Sequence, residues 1–227
     1  MKRSKINEII RDCDAFLGTR RFFLPPFAYW TPTEWRVRGK DVGEIVDRRL
    51  GWDITDFGLG DFTRTGLVIF TIRNGDPENL QRRGGKLYAE KILIVDQDQV
   101  TPYHFHWTKM EDIINRGGGD LMIQVCNSTE DEGLDDSSVK LQVDGIERTV
   151  PAGGTVELKP GESITLPTRV YHQFWGVRER VLAGEVSLVN DDYADNRFLA
   201  DVGRFPEIEE DEEPLHLLVG DYDHFLE

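Results

Sequence analysis

Apolar residues recur at helical spacing in the first twenty positions of the chain. They fall at i, i+3, i+4, i+7, i+10 and i+11, which places them along one face of an amphipathic helix. These positions are Ile6, Ile9, Ile10, Cys13, Phe16 and Leu17. Ser4 is the expected N-cap and Gly18 the expected end, since a hydroxyl and a glycine suit those two places. The pattern therefore predicts a helix that packs one face against the rest of the fold.

A segment rich in proline and aromatic residues follows, from residue 22 to residue 35. Pro25, Pro26 and Pro32 remove backbone donors and fix the backbone angle φ, so the segment cannot form one regular helix or strand. We expect it to lie over the core as an ordered arm.

From about Gly66 onward the period shortens to that of β-strands. Short apolar or alternating runs are separated by turn signals, of which Asp144-Gly145 and Pro160-Gly161 are examples. The predicted strands cover residues 67–72, 87–95, 140–143, 146–150, 155–158, 163–166 and 182–189. Many short strands joined by hairpin turns are typical of a β-sandwich or barrel.

The length and composition of the chain suit one domain of this kind. Its 227 residues include 39% hydrophobic residues, enough for a sizeable core. We expect a single domain over residues 1–227, with a helix and arm in 1–65, a barrel core in 66–200 and an acidic segment in 201–227.

Charge and cysteine content narrow the range of functions. The net charge is −15, and residues 191–227 hold 13 acidic and 2 basic side chains, which disfavours nucleic acid as a partner. The acidic run at 207–213 is expected to be a solvated loop. Two cysteines, Cys13 and Cys126, are too few for a disulfide framework, which indicates a cytoplasmic protein. No apolar run approaches the ~20 residues of a membrane helix, so no membrane partner is expected.

Three of the five histidines lie in two compact patterns that suit a metal site. His104 and His106 are two residues apart, so in a strand both imidazoles point to the same face. Glu111 follows after four intervening residues and can return from the next strand, and His172 comes after a glycine–strand–proline pattern. Three nitrogens and one carboxylate suit a divalent transition metal, with one or two coordination positions left for a substrate. The sequence therefore predicts one divalent metal ion at these four residues.

These motifs resemble those of the cupin superfamily, which would imply a double-stranded β-helix, an antiparallel barrel or jelly roll, with the metal inside. The chain departs from the cupin pattern at Arg169 and Gly176, which affects turn geometry and removes no ligand. Longer strings are similar to the bacterial D-lyxose isomerases. These strings are PPFAYWTPTEW (25–35), EKILIVDQDQVTPYHFHWTKMEDIINRGGG (90–119), LPTRVYHQFWG (166–176) and GEVSLVNDDYADNRF (184–198).

The resemblance implies an enzyme that isomerises a free aldose to its ketose. D-lyxose would give D-xylulose, and D-mannose would give D-fructose as a second pair. It also implies a divalent metal, usually Mn²⁺, and a homodimer. Co²⁺, Fe²⁺ or Zn²⁺ stay open as the ion. Isomerisation could proceed through an enediolate, which is the preferred route, or by a hydride shift, and the sequence does not choose between them.

Three residues are candidates for catalysis, each with a competing interpretation. Lys91 interrupts an apolar strand and could point inward, or it could reach water at an edge. Lys109 lies between two metal-ligand candidates and could meet a sugar oxygen, or it could be a surface turn residue. Glu185 lies among small and apolar residues and could act as an acid–base group, or it could form a structural ion pair with Arg169.

A polar cluster after the last predicted strand, at residues 190–197, is a candidate for sugar binding. Asp191 and Arg197 are the predicted substrate ligands within it, because short carboxylates and a guanidinium suit polyol recognition. The competing interpretation of the cluster is a plain turn.

Three other functions remain open at this point. A cupin dioxygenase dependent on Fe(II) would use the same ligand set. A cupin phosphosugar isomerase would need a basic cradle, for which Arg82, Arg83 and Lys86 are the candidates. A sugar sensor or storage protein is the non-enzymatic alternative.

Overall fold

The computed structural model describes residues 1–82, 84–189 and 191–225. The helices are α1 (Arg3–Thr19), α2 (Pro32–Arg38), α3 (Gly43–Asp47), α4 (Glu78–Arg82) and α5 (Tyr222–Phe225), and 3-10 turns occupy Pro26–Tyr29 and Gly39–Val42. The strands are β1 (Gly51–Thr55), β2 (Leu67–Arg73), β3 (Tyr88–Val95), β4 (Thr101–Phe105), β5 (Glu111–Asn127), β6 (Val139–Val143), β7 (Ile146–Val150), β8 (Thr155–Leu158), β9 (Ser163–Leu166), β10 (Val170–Leu188) and β11 (Arg197–Phe198).

Two long strands, β5 and β10, organise the antiparallel sheet. The C-terminal part of β10 pairs with β3, and the N-terminal part of β5 pairs with β9. The other ends of the same two strands pair with β4 and β8. The sheet therefore folds into two halves that share β5 and β10.

The change of direction within β5 and β10 occurs at a run of glycines. Gly117 and Gly118 have positive φ angles of 136° and 102°, which favour glycine. A side chain at Gly118 or Gly119 would collide with the backbone of β10 around Arg180 or Val177. The pairing register of the two strands shifts at the same place, between Val177 and Val181. These glycines let both strands bend without losing their partner.

Side chains alternate between two apolar clusters on opposite faces of the sheet. Val181 and Ala183 in β10 pack inside the jelly roll with residues from both halves. Leu182 points the other way and packs against α1 and the start of the arm. The amphipathic helix thus covers the outer face of the sheet, as the hydrophobic pattern predicts.

The ends of α1 differ from the sequence prediction. The helix begins at Arg3 and ends at Thr19, with Lys2 rather than Ser4 at the N-cap position and Gly18 inside the last turn. The Asp211 carboxylate accepts hydrogen bonds from the backbone N–H of Ser4, at 2.8 Å, and from its hydroxyl, at 2.7 Å. A carboxylate distant in sequence therefore performs the capping role expected of a local hydroxyl.

The acidic run at 207–213 is exposed at every acidic position, as predicted for a solvated loop, and its carboxylates also contact α1. Arg3 is fully buried and its guanidinium contacts Asp221 at 2.8 Å and Glu210 at 2.6 Å. Asn7 donates to the Glu212 carboxylate at 2.6 Å. Carboxylates of the C-terminal segment thus satisfy buried donors of the first helix.

The predicted boundaries between helix and arm, barrel core and acidic segment do not coincide with the limits of the sheet. Residues 1–65 contain a sheet strand as well, because β1 pairs with β2 over its full length. The last segment reaches the same strand, where Val219 N–H donates to the Trp52 carbonyl at 2.9 Å. The arm itself consists of short helical pieces and is not one regular element, and the second of these facts is what its prolines predict.

Most of the predicted strands and turns are confirmed. β7, β8 and β9 have the predicted bounds, and β2, β3 and β6 differ by one residue at one end. Asp144 and Gly145 both have positive φ, 50° and 78°, as a type I′ hairpin turn requires. Within the described residues, none of the helices has the length and apolar character that crossing a membrane requires. Cys13 and Cys126 are buried free thiols.

Candidate active site

Three imidazoles meet between the two halves of the sheet. His104 lies in β4, His106 follows that strand directly, and His172 lies in β10 as the register partner of His104. All three are buried, and one nitrogen from each ring lies within 4.8 Å of the others. The structure therefore brings together the three histidines that the sequence singled out.

Each ring presents its Nε2 atom to the same space, because its Nδ1 atom is already in use. The Nδ1 atom of each ring contacts a backbone carbonyl oxygen. The pairs are His104 with Pro102 at 2.8 Å, His106 with Asp195 at 2.6 Å and His172 with Val170 at 3.0 Å. A carbonyl only accepts, so Nδ1 carries the proton and a neutral ring keeps its lone pair on Nε2.

Burial keeps two of these rings neutral. It lowers the pKa of His104 well below the usual value, with further lowering by the two neighbouring imidazoles. Burial, together with the Lys109 ammonium, also lowers the pKa of His106. Neutral imidazole is the form that binds a metal.

The Glu111 carboxylate lies beside the Nε2 atoms of His106 and His172. A carboxylate oxygen and an imidazole lone pair repel each other unless a cation lies between them. Its Oε1 is 3.0 Å from His172 Nε2, and its Oε2 is 3.6 Å from His106 Nε2. His172 Nε2 is buried with no hydrogen-bond partner within the described chain. Converging imidazole lone pairs and a carboxylate are the donor set of a divalent transition metal. The residues present therefore fit the predicted metal ion.

A chain of alternating charges continues from Glu111 along the cavity wall. Lys109 Nζ is 2.7 Å from Glu111 Oε2 and 2.8 Å from Glu185 Oε1. Lys91 Nζ is 3.6 Å from the same Glu185 oxygen and 3.2 Å from Asp192 Oδ1. Lys91 and Glu185 are register partners on the inner face of β3 and β10. All three catalytic candidates thus lie beside the histidines.

The charges of Glu111 and Lys109 stabilise each other. Burial alone would raise the pKa of Glu111, but the charge of Lys109 outweighs burial and holds that pKa well below its usual value. Burial alone would lower the pKa of Lys109, but the carboxylates of Glu111, Glu185 and Asp192 raise it. The three carboxylates therefore favour the cationic form of Lys109.

The alternative partner for Glu185 is not found. Arg169 donates instead to the backbone carbonyl of Thr129 at 3.0 Å, and the ring of Phe105 lies 5.2 Å from its guanidinium. The proposed ion pair between Arg169 and Glu185 is therefore wrong, and two lysines take that place.

Asp195 holds the turn that carries His106 and Lys109. Its carboxylate accepts from the backbone N–H groups of Trp107, Thr108 and Lys109, at 2.8 to 3.0 Å, and from the Thr108 hydroxyl at 2.7 Å. Its own carbonyl oxygen meets His106 Nδ1. One buried residue therefore fixes the positions of a ligand candidate and a catalytic candidate.

The two predicted sugar ligands lie outside the lining of this cavity. Asp191 is exposed, and its carboxylate accepts from the backbone N–H groups of Tyr193 and Ala194, at 3.0 and 3.2 Å, as in a turn. Arg197 pairs with Glu132 at 2.8 Å. Their role as sugar ligands stays a prediction that this placement does not favour. Asn190, from the same cluster, lies outside the described residues.

Several cavity residues were not among the predicted site residues. They are Asp192, Thr101, Asn196 and Arg204, besides a wall of apolar side chains that includes Phe57, Leu67, Leu93, Phe174 and Phe198. Arg204 had a signal in the sequence, because it is one of only 2 basic residues among the last 37, which hold 13 acidic ones. A basic side chain in such an acidic segment is expected to pair with a carboxylate or to bind a ligand.

The candidate phosphate cradle does not contribute to the cavity. Arg82 pairs with Glu78, and Lys86 pairs with Glu44 at 2.6 Å, and these contacts lie on the surface. Arg83 lies outside the described residues.

Comparison with known proteins identifies the family. The model of the D-lyxose isomerase family matches residues 1–222. The chain belongs to the D-lyxose isomerase family. The D-lyxose/D-mannose isomerase of Serratia proteamaculans is 46% identical over 229 residues, which is 100% of both chains. That of Escherichia coli O157:H7 is 44% identical over 99% of this chain and 100% of its own.

Solved structures of other sugar isomerases share the fold of this family member. Cellulomonas parahominis L-ribose isomerase has a TM-score of 0.58 at 17% identity, covering 92% of this chain and 98% of its own. Acinetobacter sp. DL28 L-ribose isomerase has a TM-score of 0.60 at 15% identity, with the same coverage. The predicted fold class, a mainly β jelly roll of the cupin type, is confirmed.

Proposed function

We propose that this member of the D-lyxose isomerase family is a metal-dependent aldose–ketose isomerase of free sugars. D-lyxose would be converted to D-xylulose and D-mannose to D-fructose. The observation that carries the proposal is the convergence of three buried imidazoles and Glu111 beside a buried Lys109–Glu185–Lys91 chain. The names of the two relatives with full-length similarity support the choice of sugars.

The metal ligands we propose are His104, His106, Glu111 and His172. A divalent ion held there would polarise the sugar carbonyl and stabilise the negative charge that develops on oxygen. We propose Mn²⁺ as the ion, on the basis of the family resemblance, with Co²⁺, Fe²⁺ or Zn²⁺ as alternatives.

Glu185 is the proposed acid–base residue. Its Oε1 accepts hydrogen bonds from Lys109 at 2.8 Å and from Ser187 Oγ at 3.1 Å, and the Lys91 ammonium lies 3.6 Å away. Its Oε2 is then the oxygen that takes the proton from C2 of the aldose. The electron pair of the broken C–H bond forms the enediolate of the sugar. Glu185 returns the proton to C1, and the proton of the C2 hydroxyl moves to O1, so that C2 becomes the carbonyl and the former carbonyl oxygen becomes the C1 hydroxyl.

Lys109 and Lys91 are proposed to act as cations. Lys109 is protonated in this site, so it donates hydrogen bonds and does not accept the proton from carbon. Both ammonium groups hold Glu185 in place and offer N–H donors to the sugar oxygens at the moment when these become negative. Their removal would weaken stabilisation of the enediolate more than binding of the sugar.

Add-back of metals to stripped protein tests the proposed function. We expect ketose from D-lyxose and D-mannose only after a divalent ion is restored, with Mn²⁺ the most active. The assay measures ketose after chelation and after addition of Mn²⁺, Co²⁺, Fe²⁺ or Zn²⁺. In one parallel assay D-mannose 6-phosphate replaces the free sugar. In another, oxygen consumption is measured in the presence of Fe²⁺.

The outcomes of that assay separate the competing functions. Turnover of the phosphorylated sugar alone would replace the proposal by a phosphosugar isomerase. Oxygen uptake without ketose would replace it by a dioxygenase. Ketose formed equally well by metal-free protein would contradict the role of the four ligands.

We further propose that the protein is a cytoplasmic homodimer. The resemblance to the family implies this state, and two buried free thiols suit a reducing compartment. Tyr88, Val186 and Leu188 form an apolar patch on the outer face of β3 and β10, exposed by 49%, 43% and 39%. The net charge of −15 makes nucleic acid and anionic membrane poor partners.

Sedimentation equilibrium tests the dimer. We expect twice the chain mass of 26.0 kDa for the wild type. Tyr88→Glu should shift the equilibrium toward single chains, because it places a charge in the apolar patch. Val37→Glu is the control, since Val37 is 80% exposed on α2. A wild type at single-chain mass would contradict the proposal.

A further inference from the structure

Arg204 is a largely buried guanidinium in the wall of the metal cavity. Its side chain is 12% exposed. Its Nη2 atom is 2.6 Å from Asp53 Oδ2 and 3.6 Å from Asp192 Oδ2. Both carboxylates contact Nη2, and neither contact involves Nη1.

The Nη1 atom of Arg204 is buried without a hydrogen-bond partner within the described residues. Six buried side-chain atoms of that part of the chain share this property. Three of them belong to this site, namely His172 Nε2, Thr101 Oγ1 and Arg204 Nη1. A buried polar atom without a partner destabilises the fold, so such a concentration at one site indicates a polar ligand that completes it.

Arg204 lies at the end of the charge chain remote from the histidines. The chain of contacts runs from Glu111 through Lys109, Glu185 and Lys91 to Asp192, and Arg204 follows Asp192. Asp53, Asp192 and Phe205 also border a second cavity, of about 230 Å³, so Arg204 stands at the boundary of the two spaces. A sugar with C1 and C2 at the histidines would therefore extend its other end toward Arg204.

The backbone on both sides of Arg204 is fixed to the sheet. The Thr55 hydroxyl donates to the Arg204 carbonyl at 2.8 Å, and Gly203 N–H donates to the Phe57 carbonyl at 3.1 Å. The guanidinium also lies over the Phe205 ring, 4.7 Å from its centre. The donor is thus held in place before any sugar binds.

We propose that Arg204 is a substrate-recognition residue that donates from Nη1 to the hydroxyl group at the sugar end remote from C1 and C2. This inference rests on the proposed isomerase function and adds the residue that reads the far end of the sugar. In D-lyxose this hydroxyl is the one on C5. A sugar without it would leave the charged Nη1 donor unpaired, so such a sugar should be a poor substrate.

A cycle that combines a deoxygenated sugar with a substitution tests the proposal. Wild-type enzyme should have a kcat/KM for 5-deoxy-D-lyxose about 10- to 100-fold below that for D-lyxose, since a hydrogen bond to a charged group is lost. Arg204→Met should be slow with D-lyxose and should discriminate between the two sugars by less than about 3-fold. Equal discrimination by the wild type and the variant would overturn the proposal.

A second variant guards against loss of folding. Arg204→Met leaves Asp53 buried without its partner, and burial already raises the pKa of that carboxyl group. Arg204→Met with Asp53→Asn removes the uncompensated acid, and the double variant should lose discrimination in the same way. Metal content and the midpoint of thermal unfolding are measured for each protein. The discrimination between the two sugars is compared with that of the wild type for the variant that keeps the wild-type metal content and unfolding midpoint.

Arg180→Met is the matched control. Arg180 also pairs with an aspartate, Asp96, and also lies over a phenylalanine ring, that of Phe16, but it is outside the cavity. This variant should keep the wild-type discrimination between the two sugars. Failure of the wild type to isomerise D-lyxose would contradict the proposed function. An active wild type that does not distinguish the two sugars would contradict the Arg204 inference alone.

Discussion

Replacement of Glu185 by glutamine is expected to lower kcat for the isomerisation of D-lyxose by about 10³-fold, within the range typical of a lost acid–base group. Glutamine has nearly the same shape, and its amide oxygen can still accept from Lys109 as Glu185 Oε1 does at 2.8 Å. It cannot take a proton from carbon. KM and the metal content should change little, since Glu185 is not among the proposed ligands.

Hydrogen exchange identifies the lost step. In ²H₂O the wild type should introduce deuterium at C1 of the ketose, because the proton resides on Glu185 between C2 and C1. The Glu185→Gln variant should lose exchange and turnover together. Turnover with no exchange in the wild type would favour the hydride shift over the enediolate route.

The control for this substitution lies on the neighbouring strand. Glu90→Gln changes a carboxylate on β3 that is the register partner of Val186 and pairs with Arg73 at 3.0 Å on the outer face. It should leave kcat within about 2-fold of the wild type, as for most surface substitutions. A Glu185→Gln enzyme with more than about a tenth of wild-type activity would contradict the acid–base assignment.

The sequence predicts the short strands and the three histidines because both depend on local rules. Strands such as β8 and β9 lie between turns that glycine and proline mark, and their bounds follow. His104 and His106 share a face because alternate residues of a strand do. Lys91 points inward for the same reason, since Leu93 and Val95 alternate with it inside the jelly roll.

The long strands are predicted only in part, because a glycine run is ambiguous. Three consecutive glycines, from Gly117 to Gly119, are typical of a turn. Here they bend β5 while its pairing with β10 continues on both sides. The close approach of the β10 backbone, which only glycine allows, is a tertiary contact that the local pattern does not contain.

The far end of the cavity depends on contacts between residues distant in the chain. Asp53 and Arg204 are 151 positions apart, and β1 lies in a stretch predicted only as an arm. Asp195 is similar, since the sequence leaves its segment open between sugar binding and a plain turn, whereas the structure shows its carboxylate fixing the loop of His106 and Lys109. Local patterns predict the histidine end of the site, whereas the end at Arg204 requires the folded chain.

Replacement of His172 by alanine is expected to abolish tight metal binding and activity together. Even the loss of a hydrogen-bond partner of a ligand costs about 10- to 100-fold in metal affinity, so the loss of a ligand should exceed about 100-fold. His172 is 1% exposed, and its Nε2 has no partner within the described chain, which suits the proposed role as a metal ligand. Metal content after dialysis and ketose formation are measured on the same sample.

Thermal unfolding separates loss of the ligand from loss of the fold. A metal that binds the native state stabilises the wild type by about 2.7 kcal/mol when its concentration is 100 times Kd, which raises the unfolding midpoint. His172→Ala should unfold at the same temperature with and without metal, close to the metal-free wild type. His216→Ala is the control, because His216 is half-buried against the Trp30 carbonyl and away from the cluster, and it should keep the metal-dependent shift. A His172→Ala protein that is fully active without metal would contradict the ligand assignment, because the charge on the enediolate would then be stabilised by Lys109 and Lys91 alone.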